Sequence, residues 1–162
     1  MSQVAITLPL IERLLAKYPG IVAGAKDSSG DWSNTQAMLD AFGKDGFDVF
    51  PGSETFLLEG MRHGGAGCIS ATANVNPGAI DQVFRQWRSG EAERLQAGIT
   101  ATRKIVQKQP MIPALKAITA HFGNDADWRR VRPPLVELSA AQEGELIREL
   151  KAAGFGMPGL AG

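Results

Sequence analysis

Ile21-Val22-Ala23-Gly24-Ala25-Lys26-Asp27-Ser28-Ser29-Gly30-Asp31 holds the change of pattern on which the fold turns. Its first five residues are apolar or small and do not alternate with polar ones, as in a parallel strand buried on both faces. Lys26 ends that run. Asp27 to Asp31 is a cluster of turn and cap residues, after which Met38, Leu39 and Phe42 recur at helical spacing up to Gly43. The stretch predicts a strand, a loop and a helix, in that order.

The same unit recurs twice downstream. Phe47 to Phe50 predicts a second strand, Pro51-Gly52-Ser53-Glu54 its loop, and Phe56, Leu57 and Met61 the core face of a short helix closed by Gly64-Gly65. A third unit opens at Gly67-Cys68-Ile69-Ser70. It leads into a helix with Asn76 as cap, Pro77 in first position and Ile80, Val83, Phe84 and Trp87 toward the core. Right-handed crossovers place successive helices on one side of a sheet, so three such units imply parallel strands. The expected fold class is α/β, as a sector of a TIM (β/α)8 barrel.

Helical patterns flank this sector. Upstream, Thr7 is placed to cap a helix with Leu10, Ile11, Leu14, Leu15 and Tyr18 on one face, Pro9 in its first turn and Pro19-Gly20 as its stop. Downstream, helices are expected over roughly Glu91 to Lys108 and Ile112 to Phe122. A last helix is opened by the capping-box pattern Ser139-Ala140-Ala141-Gln142. Pro133-Pro134 marks an irregular connection before it, and the Gly- and Pro-rich residues after Gly154 are expected to fray. The chain therefore divides into residues 1–89 as the barrel sector, 90–155 as a helical extension and 156–162 as a flexible tail.

Composition narrows the functional classes. Of 162 residues, 44% are hydrophobic and 21% charged, enough to bury a core. Seventeen basic and seventeen acidic side chains cancel, so no net field would gather nucleic acid or an acidic membrane surface. A single Cys68 allows no intramolecular disulfide and no cysteine-rich zinc site, and suits a reducing compartment, for which the cytoplasm is the default. The first residues lack a basic region and a sustained apolar run, so neither targeting nor membrane insertion is expected.

Ligands of parallel βα architectures bind at the carboxyl ends of the strands. Lys26, Gly52-Ser53-Glu54 and Ile69-Ser70 all fall there. A lysine ending an apolar strand loses hydration, which favours the neutral amine needed to attack a ketone and form an imine. The alternative is a snorkelling or salt-bridged lysine. Glu54 is equally explained as a carboxylate favoured by the dipole of the following helix. Ser28, Ser29 and Gly30 suit a phosphate at a helix N-terminus, although no P-loop lysine spacing follows them. His63, in His-Gly-Gly, reads as a C-terminal cap rather than an acid or ligand. No His, Cys, Asp and Glu grouping has metal-ligand spacing, so no metal is expected.

The segment Ile21 to Asp31 resembles the Schiff-base strand of the dihydrodipicolinate synthase / N-acetylneuraminate lyase family, in which the lysine stands before Asp-Ser-Ser-Gly. Phe50-Pro51-Gly52-Ser53-Glu54 resembles the family's next strand end, and Gly64 to Val75 its glycine-rich eighth strand with Ile-Ser and Thr-Ala-Asn-Val. Arg132-Pro133-Pro134-Leu135 through Leu138-Ser139 resembles the link into its final helix. The resemblance runs from about Thr7 to Leu150. It implies about the last three βα units of the barrel.

It implies further that Lys26 is the imine-forming lysine and that Ile69 offers backbone beside the keto acid. Gly52, Ser53 and Glu54 would face the distal part of the substrate, with Ser70 in the same binding region. Ser53 departs from the acidic or aromatic residues familiar at its position. The implied activity is that of a carbon-carbon lyase or synthase acting on pyruvate or a related 2-keto acid through a covalent imine, without a cofactor.

Two parts of the family pattern are missing: a Gly-Thr-Thr-Gly-Glu-type loop that holds the keto acid's carboxylate and a tyrosine that relays the proton. Tyr18 is the one tyrosine, and it lies in a helical pattern. The family's tyrosine-bearing strand would end just before Ser2, so Met1 is expected to be an internal start or an artificial boundary within a longer chain. A complete barrel takes about 250 residues. Two readings follow: a lyase in truncated form, feebly active alone, or a non-catalytic half-barrel that pairs with itself or with a complementary half. Unpaired sheet edges would favour such association, as a homo-oligomer or with another chain.

Overall fold

The computed structural model describes residues 5–158. The expected internal start at Met1 and the end of the expected tail, 159–162, lie outside the described residues. The chain forms two compact units, one up to Ile69 and the other from Ser70.

In the first unit, helix α1 (Leu8–Lys17) begins after Thr7, with proline in its first turn as expected, although the Thr7 side chain makes no cap bond. Strand β1 (Gly24–Asp27) pairs in parallel with strand β2 (Asp48–Pro51), in the register Gly24↔Asp48 to Asp27↔Pro51. Between them runs helix α2 (Trp32–Phe42), whose N-cap Asp31 accepts from the Ser33 N–H. Helix α3 (Leu57–Arg62) follows β2 after a 3-10 turn at Glu54–Phe56. Ile11, Met38, Leu39, Phe47 and Val49 form the core, with Val22, Ala25 and Phe42 packed on it. The apolar spacing in α1 and α2 thus meets the inward face of the strands.

Two expectations are corrected here. First, β1 starts three residues after Ile21, which is 77% exposed. The Ile21 N–H is held by the Tyr18 carbonyl at 3.2 Å, and ladder bonding to β2 begins only where the Asp48 N–H meets the Ala23 carbonyl at 2.9 Å. The run is not buried on both faces: Ile21, Ala23 and Lys26 are exposed.

Second, Gly67 to Ser70 is not a strand. Ala66 and Ile69 do donate to the Val49 and Pro51 carbonyls of β2, each at 3.1 Å. Those acceptors are two residues apart and the donors three, so one extra residue breaks the regular parallel ladder, as in a bulge. Gly67, at φ 146°, takes up the irregularity.

The second unit is helical: α4 (Pro77–Gln86), α5 (Ala92–Val106), α6 (Met111–Phe122) and α7 (Ala140–Ala152). Asn76 stands at the cap of α4 with proline behind it, though its side chain makes no cap bond. Ile80 and Val83 are buried as expected, whereas Phe84 is exposed: it follows Val83 directly, and so lies about 100° around the helix from it. Both reciprocal bonds of the Ser139–Gln142 capping box are present at α7. Val75, Val106, Ala114, Ile118, Leu146 and Leu150 make the core of this unit. The connection to α7 contains a cis Pro133–Pro134 peptide.

Candidate active site

β1 carries Lys26 and Asp27 at its carboxyl end, and their backbone organises the surroundings. The Asp27 carbonyl accepts the Gly52 N–H at 2.6 Å. A β-carbon on Gly52 would lie 2.7 Å from that oxygen and 3.1 Å from the Ser28 Cα, so the approach requires glycine. One residue earlier, the Pro51 carbonyl accepts the Ile69 N–H. This relay of backbone bonds brings the strand end at Lys26, the Gly52-Ser53 turn and Ile69 to one edge of the unit. Ile69 is 47% exposed there.

Lys26 itself is exposed. The loss of hydration expected from its apolar run is not found in this chain, because successive strand residues face opposite ways and the inward place belongs to Asp27.

Asp27 is the residue whose part sequence reading missed. Its carboxylate is buried and accepts the Ser29 N–H at 2.9 Å, the Ser29 hydroxyl at 3.0 Å and the Thr35 hydroxyl at 2.6 Å. Burial by itself would raise its pKa. The bonds from Thr35, Ser29 and Asn34 outweigh that and hold it below the usual carboxylate range. Asp-x-Ser is a readable turn signal, but nothing local announces Thr35, eight residues on. Of the turn residues suggested for a phosphate, Ser29 is committed: its N–H and hydroxyl both serve Asp27.

The second loop divides its work differently from the sequence expectation. Ser53, not Glu54, is the cap, accepting from the Thr55 N–H and sharing a 2.8 Å hydrogen bond with the Thr55 hydroxyl. Glu54 is 1% exposed, so it is shielded from solvent in this chain. Burial first, and then the charge of Glu54, push the Cys68 thiol up to about 11, which keeps it protonated and unreactive at neutral pH.

Ser70 opens the second unit and is buried. Its hydroxyl shares a 3.2 Å hydrogen bond with Thr72 and accepts from Arg103 Nη1 of α5 at 3.0 Å, so it ties down the 3-10 turn Ala71–Asn74. Arg103 was not foreseen, being 33 residues away in sequence.

His63 is the C-cap of α3, with Nδ1 2.9 Å from the Glu59 carbonyl and its ring edge-on to Trp32 at 5.2 Å. Tyr18 caps the end of α1 and is exposed. Among the described residues, no three His, Cys, Asp or Glu side chains are grouped to hold a metal. None of their helices is long and apolar enough to cross a membrane.

These features define an α/β protein with a lysine at the carboxyl end of a parallel strand, beside a glycine-bearing second strand end. The chain belongs to the dihydrodipicolinate synthetase family, which it matches over residues 1–153. It is 32% identical over 154 residues to an uncharacterized DapA-like lyase of Chloroflexus aurantiacus, covering 94% of this chain and 49% of that one.

Dihydrodipicolinate synthase from Agrobacterium tumefaciens has a similar structure, with a TM-score of 0.75 and 30% identity over 93% of this chain and 50% of that one. YagE, a prophage protein of the same family from E. coli K12 solved in complex with pyruvate, shares the fold at a TM-score of 0.79 and 21% identity. It is covered to 50%, by 90% of this chain. The chain spans about half the length of the relatives it matches.

Proposed function

We propose that this chain carries the imine-forming part of a carbon-carbon lyase or synthase acting on pyruvate or a related 2-keto acid, with Lys26 as the nucleophile. The observation that supports this reading most is the place of Lys26. It stands at the carboxyl end of a parallel strand, exposed to solvent, with Gly52 and Ile69 joined to the same edge by backbone bonds. In family terms, residues 1–89 form the last part of a (β/α)8 barrel and 90–155 a helical extension, in a cytoplasmic enzyme without a cofactor.

In the proposed reaction the unprotonated Lys26 amine adds to the C2 carbonyl of the keto acid. The carbinolamine loses water, and the resulting iminium accepts the electron pair when a bond at C3 breaks; the enamine so formed returns that pair when a new bond at C3 is made. Ile69 offers backbone beside the keto acid, the Gly52-Ser53-Glu54 loop faces its distal part, and Ser70 shapes the following turn. Proton transfer needs a positioned acid and base. Asp27 does not fill that role, since its carboxylate is already held by Ser29 and Thr35. Lacking such a relay, the chain by itself is expected to turn over about two to four orders of magnitude more slowly than a complete site.

Borohydride trapping with pyruvate, followed by mass spectrometry, tests the assignment. One reduced pyruvyl adduct on Lys26, absent from Lys26→Ala, is the expected result. An adduct that persists in that variant sinks it.

The second reading, a non-catalytic half-barrel that pairs with itself or with a complementary N-terminal half, is favoured by the one strand partner that β1 has among the described residues and by the exposed Ile21 and Ile69. Light scattering that finds a dispersed monomer, unchanged by added N-terminal half, removes it.

A further inference from the structure

We propose that Thr35 is a positioning residue for Lys26, acting through Asp27; this rests on Lys26 being the imine-forming amine. Thr35 lies in the second turn of α2 and is 1% exposed, and its hydroxyl donates 2.6 Å to the Asp27 carboxylate. A short hydroxyl bond to an ionised acceptor is among the stronger polar contacts available inside a protein. Its ends are eight residues apart and belong to different elements, so it fastens the strand to the helix rather than stabilising either alone.

What it fastens is the facing of the strand. Adjacent strand residues point to opposite sides, and a slip of one residue exchanges them. Asp27 is buried and Lys26 exposed, which is the choice the Thr35 bond enforces. β1 has only four residues and one strand partner among the described residues, so its ladder is a weak guard of register. The Asp27 carbonyl also seats Gly52, so the same residue holds the second strand end against the first. Thr35 thereby sets both the direction in which Lys26 is offered and the distance between the two loops around it, without touching substrate.

The test compares Thr35→Val, which keeps the shape and removes the hydroxyl, with Thr35→Ser, which restores it. Single-turnover borohydride trapping of pyruvate on the full chain is followed across pyruvate concentration. Misplacement of a reacting group costs up to about a hundredfold in rate. Thr35→Val is expected to lower the maximal trapping rate about ten- to a hundredfold and to leave half-saturation nearly unchanged, while Thr35→Ser recovers most of the loss. Amide exchange provides a readout independent of pyruvate: the Gly52 N–H should exchange faster in Thr35→Val and near the wild-type rate in Thr35→Ser.

Where Thr35→Val fails to fold, Asp27→Asn, of the same size and without the charge, takes its place with the same expected drop. A wild-type chain that forms no Lys26 adduct overturns the reading on which this rests. An adduct formed equally fast in wild type and Thr35→Val, with Gly52 exchange unmoved, overturns the positioning role alone.

Discussion

Up to Ile69, a two-stranded sheet packs with a core that includes Ile11, Met38, Leu39, Phe47 and Val49, and its functional edge is held by polar and backbone bonds: Thr35 to Asp27, Gly52 to Asp27 and Ile69 to Pro51. From Ser70 onward, α5, α6 and α7, with Val75, bury a continuous apolar cluster in which Val106, Ala114, Ile118 and Leu150 have no exposed surface. The contrast separates two ways of spending sequence. Apolar burial is strong, non-directional and tolerant of small shifts, and so suits a scaffold. Directed polar bonds and glycine contacts add less stability but define where a side chain and a carbonyl stand to within fractions of an ångström. The candidate chemistry lies where the second kind dominates.

Substitutions can break this comparison at either end. The largest effect is expected at Leu150, wholly buried among Val106, Ile118 and Leu146. Leu150→Ala should cost about 2–5 kcal/mol, by lost transfer energy and an unfilled cavity. Chemical denaturation measures this, and a loss below about 1 kcal/mol would mean that the helical core is not the scaffold described.

Gly52→Ala comes next. Its new methyl would press on the Asp27 carbonyl oxygen and on Ser28, so a destabilisation of about 1–3 kcal/mol is expected from the forced backbone shift. Slower Lys26 trapping should accompany it, whereas Leu150→Ala should leave trapping unchanged wherever the chain remains folded. Equal effects of the two on trapping would erase the distinction between the regions.

The smallest effect is the response to acid. Asp27 has a folded-state pKa below its unfolded one, because hydrogen bonds from Thr35, Ser29 and Asn34 outweigh the opposing effect of burial. Its contribution to stability is therefore complete above the unfolded carboxylate value and is lost as pH falls through the lowered folded value. Melting curves across the acid range should show the advantage of wild type over Asp27→Asn shrinking as pH falls. Some acid dependence should survive in the variant, since Glu143 in the helical unit is also held low, chiefly by its paired hydrogen bonds from Arg129. An advantage that stays constant down to strongly acid pH would show that Asp27 is not the ionised bracket described.

By itself the sequence determined whatever depends on neighbours a few residues apart. The helices α5, α6 and α7 follow from apolar spacing, the start of α7 from Ser139 and Gln142, the end of α3 from His63, and the place of Lys26 at a strand end from the run before it. These signals are legible because helical periodicity and capping are built from bonds three or four residues long.

Only the tertiary structure decided that Ile21 lies outside β1, that one extra residue between Ala66 and Ile69 breaks the third strand, that Asp27 faces inward to Thr35, and that Arg103 reaches Ser70. Each of these depends on register or on partners far apart along the chain. A one-dimensional pattern of apolar and polar residues records that a side chain wants to be buried or bonded. Which distant atom it meets is settled when strand ends and helices are brought together, because a shift of a single residue redirects every contact on that face.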